Sequence, residues 1–457
     1  MRSVVLKIGG GILRDKNCFD RVVDVIRGKN SEFDSSIIVL SALYGITDFL
    51  ISCADEALTG RKPVEELISE LRARHVHYLS MVSGEQARVK AEKTLSEKIA
   101  VLEQFLFGVR YLKELSPRSR DLIQSFGERL SPIVLEAFLS DAGVGAQFLD
   151  AEDAGLLCKG PFENAVVDFE ATKANLLKRT KGILGKKVLL LPGYYAVDAS
   201  GDVRTFGRGG TDYSAGFIAS IFGAKLEIWK DVSGFMTADP KIVPTARQIA
   251  MLSYSEAEEL GYLGAKILHP KTIAPLREKN LSAEVKNLFD PGRVGTLISA
   301  ERDFSDGVVK SVTTMKNIAL VTVSSTTMFN GFGFASMIFS VLTKAGVSVD
   351  LIATSQTAIS VSLDVSDLEP AIQALNAANT EALFEVTWKK DLAMLGVVGE
   401  GMRDTCGIAG RLFSVLGEQK INVEMISQGG SEINISLIVR AAQLNQALLA
   451  VHAEFIR

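Results

Sequence analysis

The chain has 457 residues, of which 47% are hydrophobic and 23% are charged, as in ordinary globular proteins of two to three domains. A formal net charge of −4 gives no basic surface and argues against a nucleic-acid partner. No apolar run approaches the ~18 residues of a membrane span, and the N-terminus lacks the features of a signal peptide. The four cysteines are scattered without a C-x-x-C pair, so we expect free, buried thiols in a reducing cytoplasm.

Four short apolar runs predict a buried parallel sheet. They are SVVLKIGGG, SIIVLSALYG, KKVLLLPGYY and LEIWKDVSG, and continuous apolar character is typical of strands covered on both faces. Apolar residues three and four apart predict helices over 85–115 and 121–141. This alternation over about 300 residues predicts an αβα sandwich. Ligands of such sheets bind beyond the carboxyl ends of the strands, where the glycine-rich endings of the runs would lie.

The first two runs end in candidate binding turns. Lys7 precedes Gly9 and Gly10, and a glycine-rich turn with a lysine can bind phosphate through N–H groups and a positive charge. A tight turn beside a surface lysine is the alternative, because the pattern matches neither Walker A nor G-x-G-x-x-G. Ser41 and Thr47 in SALYGITD either cap the next helix or donate to a substrate carboxylate.

Glu128 is a charged residue in the largely apolar helical segment QSFGERLSP. Charged side chains seldom enter such a face unless they are paired. Glu128 therefore either pairs with Arg129 on a solvated face or points into a cleft, where its carboxylate would suit a substrate ammonium group.

The stretch TFGRGGTDYSAG at 205–216 places Arg208 between glycines and Asp212 where a helix is due to begin. Glycines allow positive φ and a close approach of the backbone to a bound group. Bulky charged residues are unusual at such a turn, which raises the question of what these two side chains are held against.

Two later stretches, WKDVSGFMTADPKIV and GAKILHP, place Lys241 and Lys266 near predicted strand ends. They are either simple turns or lysines that hold a triphosphate and its developing charge. No Ser–His–Asp or Cys–His arrangement is evident, and the histidines of H-x-H at 75–77 lie on different helix faces, which predicts surface positions and no metal site. A nucleophile already ionised at pH 7, such as a carboxylate, needs no general base.

The C-terminal part contains a repeat. A polar, turn-rich stretch over 295–317 predicts a linker. Beyond it, residues 338–363 align without a gap on residues 412–437, so that Asp350 matches Glu424. Each copy reads as strand, helix, strand, strand, which predicts two copies of one small α+β unit.

Together these stretches resemble the aspartokinases, which are amino-acid kinases with two C-terminal ACT repeats, and most closely the monofunctional, lysine-sensitive branch. The resemblance covers essentially the whole chain. It implies an αβα sandwich of the amino-acid kinase type at 1–300, a first ACT-like domain at 301–388 and a second at 389–457.

The resemblance also implies ATP-dependent phosphorylation of the β-carboxylate of L-aspartate, with Mg²⁺, as the first step of lysine, threonine and methionine biosynthesis. Arg208 would hold a carboxylate of aspartate, Glu128 its amino group, and Ser41 and Thr47 would add hydroxyl contacts. Asp212 would organise the positive groups of the catalytic centre together with Lys7. The positions that match ATP-binding residues are Lys7, Gly9, Gly10, Lys230, Asp231, Met236, Lys241 and Lys266.

Regulation is predicted from the repeats. A dimer through the ACT-like domains and an amino-acid effector, with L-lysine first among the candidates, are implied. The effector positions are Met328, Gly331, Phe334, Ser348, Val349, Asp350 and Gln356. Asp350 could instead pair at the dimer seam, and Gln356 replaces a glutamate of lysine-sensitive relatives, so threonine and methionine remain alternatives. Ile8, Gly11 and Met236 also depart from the residues usual in the family.

Two other functions remain open. A kinase for another acid, such as N-acetylglutamate, would have no ammonium group for Glu128 to bind. A catalytically silent amino-acid sensor would have no use for Lys7, Arg208 and Lys266 at glycine-rich turns.

Overall fold

The structure is a computed structural model that describes residues 2–264, 267–305, 307–325, 333–380 and 382–456. As far as residue 141 its elements are β1 (Ser3–Ile8), α1 (Lys16–Glu32), β2 (Ser35–Leu40), α2 (Ile46–Thr59), α3 (Val64–Leu79), α4 (Glu85–Leu112) and α5 (Pro117–Asp141). As far as residue 230 there follow β3 (Ala146–Phe148), α6 (Ala151–Ala154), β4 (Cys158–Lys159), β5 (Val166–Val167), α7 (Phe169–Thr180), β6 (Val188–Pro192), β7 (Tyr195–Val197), β8 (Val203–Thr205), α8 (Gly210–Phe222) and β9 (Lys225–Lys230).

The elements after residue 250 complete the fold. They are β10 (Met251–Ser253), α9 (Tyr254–Tyr262), α10 (Ile273–Glu278), β11 (Ala283–Asn287), β12 (Thr296–Ser299), β13 (Ser311–Ser324), α11 (Phe334–Lys344), β14 (Ile352–Thr354), β15 (Ala358–Asp364), α12 (Leu368–Ala378), β16 (Glu385–Val398), α13 (Ile408–Glu418), β17 (Met425–Gln428), β18 (Asn434–Arg440) and α14 (Leu444–Phe455). None of the helices among the described residues has the length and apolar character needed to cross a membrane.

The chain divides into two compact units. The first comprises Met1–Gly234 and Ile267–Glu301, and the second comprises Phe235–Lys266 and Arg302–Arg457. The inclusion of Phe235–Lys266 in the second unit has no counterpart in the sequence prediction. The domain boundaries expected at residues 300 and 388 stay predictions.

In the first unit, seven strands lie in the order β12-β11-β9-β1-β2-β6-β3, parallel except for the β11/β12 pair. The predicted apolar runs are β1, β2, β6 and β9, and the predicted helices are α4 and α5. Side chains alternate along a strand, so Leu6 and Ile8 face the core formed with α1 to α5. Lys7 lies on the other side of β1, where α8 packs on β1, β2 and β9. The predicted αβα sandwich is confirmed.

The linker predicted over 295–317 is partly wrong. Thr296–Ser299 forms β12, which pairs antiparallel with β11, and β13 begins at Ser311. Antiparallel strands tolerate polar side chains on one face, and these polar residues made β12 and the start of β13 resemble a linker.

The second unit contains a six-stranded antiparallel sheet in the order β14-β15-β13-β16-β18-β17. β13 and β16, one from each repeat, pair with each other and join the two repeats into this single sheet. Each repeat has the predicted strand, helix, strand, strand order, followed by a helix that the sequence analysis did not predict. α11 and α12 pack on the first repeat, and α13 and α14 pack on the second.

Two smaller predictions need correction. Cys406 is exposed, whereas the other three cysteines are buried as expected. His75 is fully buried rather than at the surface, because it lies on the apolar face of α3 and its Nδ1 is 2.9 Å from the Leu71 carbonyl oxygen. His77, on another face of α3, is exposed.

Candidate active site

A cavity of about 510 Å³ opens where β1, β2 and β6 end and α8 begins. Seven of the residues predicted from the sequence line it, namely Lys7, Gly10, Ser41, Thr47, Glu128, Arg208 and Asp212. They come from four stretches of the chain, and the fold brings these stretches to one edge of the parallel sheet.

Lys7 and Asp212 form a buried ion pair in this cavity. Lys7 Nζ lies 2.8 Å from Asp212 Oδ1, because β1 directs Lys7 towards the first turn of α8. Burial alone would raise the pKa of Asp212, but the charges of Lys7 and Lys230 outweigh it and lower the pKa below its ordinary value. The cavity therefore contains an ionised carboxylate whose neighbours are two lysines.

Arg208 lies on a turn whose next position, 209, accepts only glycine. Gly209, at the N-terminus of α8, has φ of 76°. A Cβ atom at this position would be 2.2 Å from Cγ of His269. The backbone therefore passes close to His269. Within the described part of the chain the exposed Arg208 makes no hydrogen bond or ion pair, so its guanidinium is available to a ligand.

Glu128 is a buried carboxylate on α5 with one oxygen unsatisfied. Its Oε1 accepts a hydrogen bond of 3.0 Å from the Ala42 N–H, while its buried Oε2 has no hydrogen-bond partner among the residues that the structure describes. Burial raises the pKa of Glu128 to about 8. Arg129 pairs instead with Asp150 at 2.7 Å and Glu152 at 2.6 Å. The alternative of a Glu128–Arg129 pair on a solvated face is therefore wrong.

Ser41 and Thr47 lie beside the cavity without capping a helix. α2 begins after Gly45, and no side chain makes a capping hydrogen bond there, so the capping alternative is wrong. Ser41 Oγ donates to Thr211 Oγ1 at 3.0 Å. Their roles in substrate binding stay predictions.

The residues predicted to contact the nucleotide lie in several places. Gly9 precedes the short 3-10 turn Gly10–Ile12, and a Cβ atom at Gly9 would be 3.1 Å from Lys7 Nζ. Lys230 ends β9 next to Asp231, and burial lowers the pKa of Lys230 to about 8 although the Asp212 charge opposes this.

The other predicted nucleotide residues are not in the first unit. Met236 forms an isolated bridge with Gln248 within the second unit. Lys241, also in the second unit, donates its backbone N–H to Asp239 Oδ1 at 2.9 Å. Lys266 lies outside the described residues.

The predicted effector residues are partly described. Met328 and Gly331 lie outside the described residues. Phe334 begins α11, and Gln356 lies in the turn between β14 and β15. The backbone N–H of Ser348 donates to Asp367 Oδ2 at 3.3 Å, and Val349 packs against the core of the first repeat. Asp350 is exposed to solvent on one side. Its pKa is raised by the desolvation that the surrounding protein causes and by the neighbouring carboxylates Asp364 and Asp367.

Thr211 and Tyr194 are among the cavity residues that the sequence analysis missed. Thr211 accepts the hydrogen bond from Ser41, and Tyr194 donates its hydroxyl to Gln124 Oε1 at 2.9 Å. Both lie in stretches already singled out, TFGRGGTDYSAG and KKVLLLPGYY. Only the fold shows that they reach the same cavity.

Comparison with known proteins defines the class of the protein. Residues 2–287 match the family model of the amino acid kinase family, and residues 321–378 and 395–455 match that of an ACT domain. Aspartokinase 3, chloroplastic, of Arabidopsis thaliana is 34% identical over 99% of this chain and 81% of its own length. An aspartokinase of Schizosaccharomyces pombe is 34% identical over 78% of this chain and 72% of its own length. The chain belongs to the aspartokinases, within the amino acid kinase family.

Solved structures of the same family have the same fold. E. coli aspartokinase III in complex with aspartate and ADP, in its R-state, matches with a TM-score of 0.84 and 26% identity over 99% of both chains. The T-state of that enzyme, in complex with lysine and aspartate, matches with a TM-score of 0.82 and 26% identity.

Proposed function

We propose that the cavity binds L-aspartate and the terminal phosphate of ATP, and that the chain transfers this phosphoryl group to the β-carboxylate to give β-aspartyl phosphate. The observation that carries the proposal is the charge arrangement in one cavity. Within the described part of the chain, Arg208 offers a cation without an ion-pair partner and Glu128 a buried carboxylate with one oxygen unsatisfied, while Lys7 is held by Asp212. An amino acid with a second carboxylate needs Arg208 for a carboxylate and Glu128 for its ammonium group, and a transferring phosphate needs the positive charge of Lys7.

Each residue has a separate task in this proposal. The fork-shaped guanidinium of Arg208 binds a substrate carboxylate through two parallel N–H donors. Glu128 accepts the substrate ammonium on Oε2 and remains fixed through the Ala42 N–H on Oε1. The β-carboxylate is already ionised at pH 7, so it attacks phosphorus without a general base, and no protein residue has to accept a proton.

Lys7 stabilises the charge that develops on the transferring phosphoryl oxygens, and the buried Asp212 carboxylate fixes its ammonium at 2.8 Å. Lys230 adds a second positive charge near Asp212. Phosphoryl transfer depends mainly on such positioning and charge stabilisation.

Two carboxylates of the cavity, Asp212 and Glu128, are poor ligands for Mg²⁺, so the ion would arrive with the nucleotide. Asp212 is paired with Lys7, and the pKa of Glu128 is raised to about 8. The oxygens of the ATP phosphates would therefore be the main ligands of the ion, as is usual for Mg²⁺ in phosphoryl transfer. Bound with the nucleotide, Mg²⁺ would neutralise phosphate charge.

The remaining features are proposed from family positions, surface charge and sheet topology. Met236, Lys241 and Lys266 are proposed as nucleotide contacts from their family positions, and residues 301–388 and 389–457 as the two ACT domains. We propose L-lysine as a feedback inhibitor bound near Asp350, supported by the exposed carboxylate with two acidic neighbours. A homodimer through the ACT repeats and a reducing cytoplasmic location are proposed from the edge strands and the unpaired cysteines.

A substrate panel tests the proposed activity. ADP release from ATP is measured with L-aspartate, L-glutamate, N-acetyl-L-glutamate and no acceptor, with and without L-lysine. We expect release with L-aspartate alone and less release when lysine is present. Equal or greater release with N-acetyl-L-glutamate would assign the chain to a different kinase, because that compound has no ammonium group for Glu128.

A further inference from the structure

The two repeats place matching carboxylates in different surroundings. Asp350 and Glu424 are separated by 74 positions and align without a gap in the sequence. Asp350 makes no side-chain hydrogen bond or ion pair within the described part of the chain. Glu424 contacts two cations: its Oε2 lies 2.6 Å from Lys389 Nζ, and its Oε1 lies 3.5 Å from Arg440 Nε.

A difference in strand register accounts for part of this contrast. In the first repeat Ile352 pairs with Val361, and Asp350 N–H donates to the Ser362 carbonyl. By the offset of 74, the counterpart of Ser362 is residue 436. Glu424 N–H donates instead to the Ile438 carbonyl, two residues further along. The turn of the second hairpin is two residues longer, so β18 is shifted by two positions and Arg440 pairs with Leu392 where the first repeat pairs Asp364 with Ile318. Glu424 therefore has a cation where Asp350 has a carboxylate.

A difference in residue type between the two repeats supplies the second cation. Asp391 in β16 and its counterpart Asn317 in β13 have φ of 58° and 61°, and the register of the β13–β16 pair shifts at both, so the β-bulge is common to the two repeats. Lys389 lies just before Asp391, and its ammonium reaches Glu424. The residue that corresponds to Lys389 in the first repeat is Met315, which has no charge to offer Asp350.

We infer that Glu424 is a second amine-binding carboxylate, which the chain closes with the ammonium of its own Lys389, so that only the first repeat is open to an amino-acid ligand. The inference rests on the proposed effector function of the repeats. The ligand class is a primary ammonium group, because this is the group that Lys389 already places on Glu424 Oε2 at 2.6 Å.

Lys389 and Glu424 belong to the same chain, and this makes their ion pair an effective competitor of a free ligand although the pair is partly exposed. An exposed ion pair is weak between free partners. A group held on the same chain, however, acts at an effective concentration in the millimolar range. A free amino acid well below that concentration cannot displace Lys389, whereas an open carboxylate such as Asp350 has no such competitor.

The test counts lysine sites on the full chain by calorimetric titration of L-lysine, with L-aspartate at saturation so that the catalytic cavity is filled. We expect one site per chain in the wild type and two in Lys389→Ala. Lys389→Ala/Glu424→Gln should return to one. The control is Lys390→Ala, which removes the neighbouring exposed lysine and should leave one site. Lys389→Ala/Arg440→Ala frees both oxygens of Glu424 and should also give two.

The outcomes separate this inference from the proposed function. One site in both Lys389→Ala and Lys389→Ala/Arg440→Ala overturns the closed second site and leaves the first-repeat effector site standing. A third outcome is no site in the wild type, one site in Lys389→Ala and none in Lys389→Ala/Glu424→Gln. This result supports the inference and overturns the effector site at Asp350. No site in any variant overturns both.

Discussion

Replacing Glu128 with glutamine should produce a defect in aspartate use that grows with pH. The substitution keeps the shape of the side chain and removes its charge, so the amide can no longer form an ion pair with a substrate ammonium. A hydrogen bond to a charged group contributes roughly 1.5–3 kcal/mol, which corresponds to about a ten- to hundredfold loss of kcat/KM for L-aspartate. The loss should be absent from kcat/KM for ATP.

The pH dependence follows from the burial of Glu128. Burial raises its pKa to about 8, so the Glu128 carboxyl of the free enzyme is mostly protonated at neutral pH. Binding of the substrate ammonium group requires the ionised carboxylate. The ionised fraction rises about eightfold between pH 6.5 and 7.5 and levels off above pH 8, and wild-type kcat/KM for L-aspartate should rise with it.

The assay is steady-state kinetics with L-aspartate varied from pH 6 to 8.5, for the wild type and Glu128→Gln. The ratio of the two kcat/KM values removes the titration of groups common to both proteins, including Lys230, whose pKa is also about 8. This ratio should increase with pH. A ratio that stays constant, or an equal defect in kcat/KM for ATP, would refute the assignment of Glu128 to the substrate ammonium group.

Four further predictions concern the other predicted residues. Arg208→Ala should lose about ten- to a hundredfold in kcat/KM for L-aspartate while ATP affinity, measured by nucleotide titration, is retained; an equal loss for ATP would place Arg208 on the phosphate. Lys7→Ala and Asp212→Ala should each lower kcat by about a hundredfold or more with an unchanged circular dichroism spectrum; near-normal turnover of Lys7→Ala would leave only the tight-turn interpretation. A chain truncated after Ser299 should be a monomer by analytical ultracentrifugation, and a dimer would contradict assembly through the ACT repeats. Asp350→Ala should abolish binding of L-lysine in a titration that compares lysine, threonine and methionine, and undiminished lysine binding would eliminate this site.

The sequence was sufficient for most of the fold because the apolar runs are continuous. β1, β2, β6 and β9 are buried on both faces, so their positions can be read from composition alone. β12 and the first half of β13 are polar on one side and were taken for a linker. The membership of Phe235–Lys266 in the second unit depends on contacts distant in sequence, which no local pattern records.

The sequence predicts the candidate site at positions where a charged residue stands among residues that normally exclude it. Arg208 among glycines and Glu128 in an apolar helix both stood out for this reason, and both line the cavity. Thr211 and Tyr194 are ordinary residues at their positions and could be assigned to the cavity only from the fold. The unequal partners of Asp350 and Glu424 depend partly on a two-residue insertion in the second hairpin, which an ungapped alignment of the repeats does not reveal.

The most direct test of the proposed reaction is to trap its product. The chain is incubated with ATP, Mg²⁺, L-aspartate and hydroxylamine, which converts an acyl phosphate into a stable hydroxamate, and mass spectrometry determines which carboxylate has reacted. We predict β-aspartyl hydroxamate in a yield that matches ADP release, with none from Lys7→Ala above background. ADP release without hydroxamate, or hydroxamate at the α-carboxylate, would contradict the account.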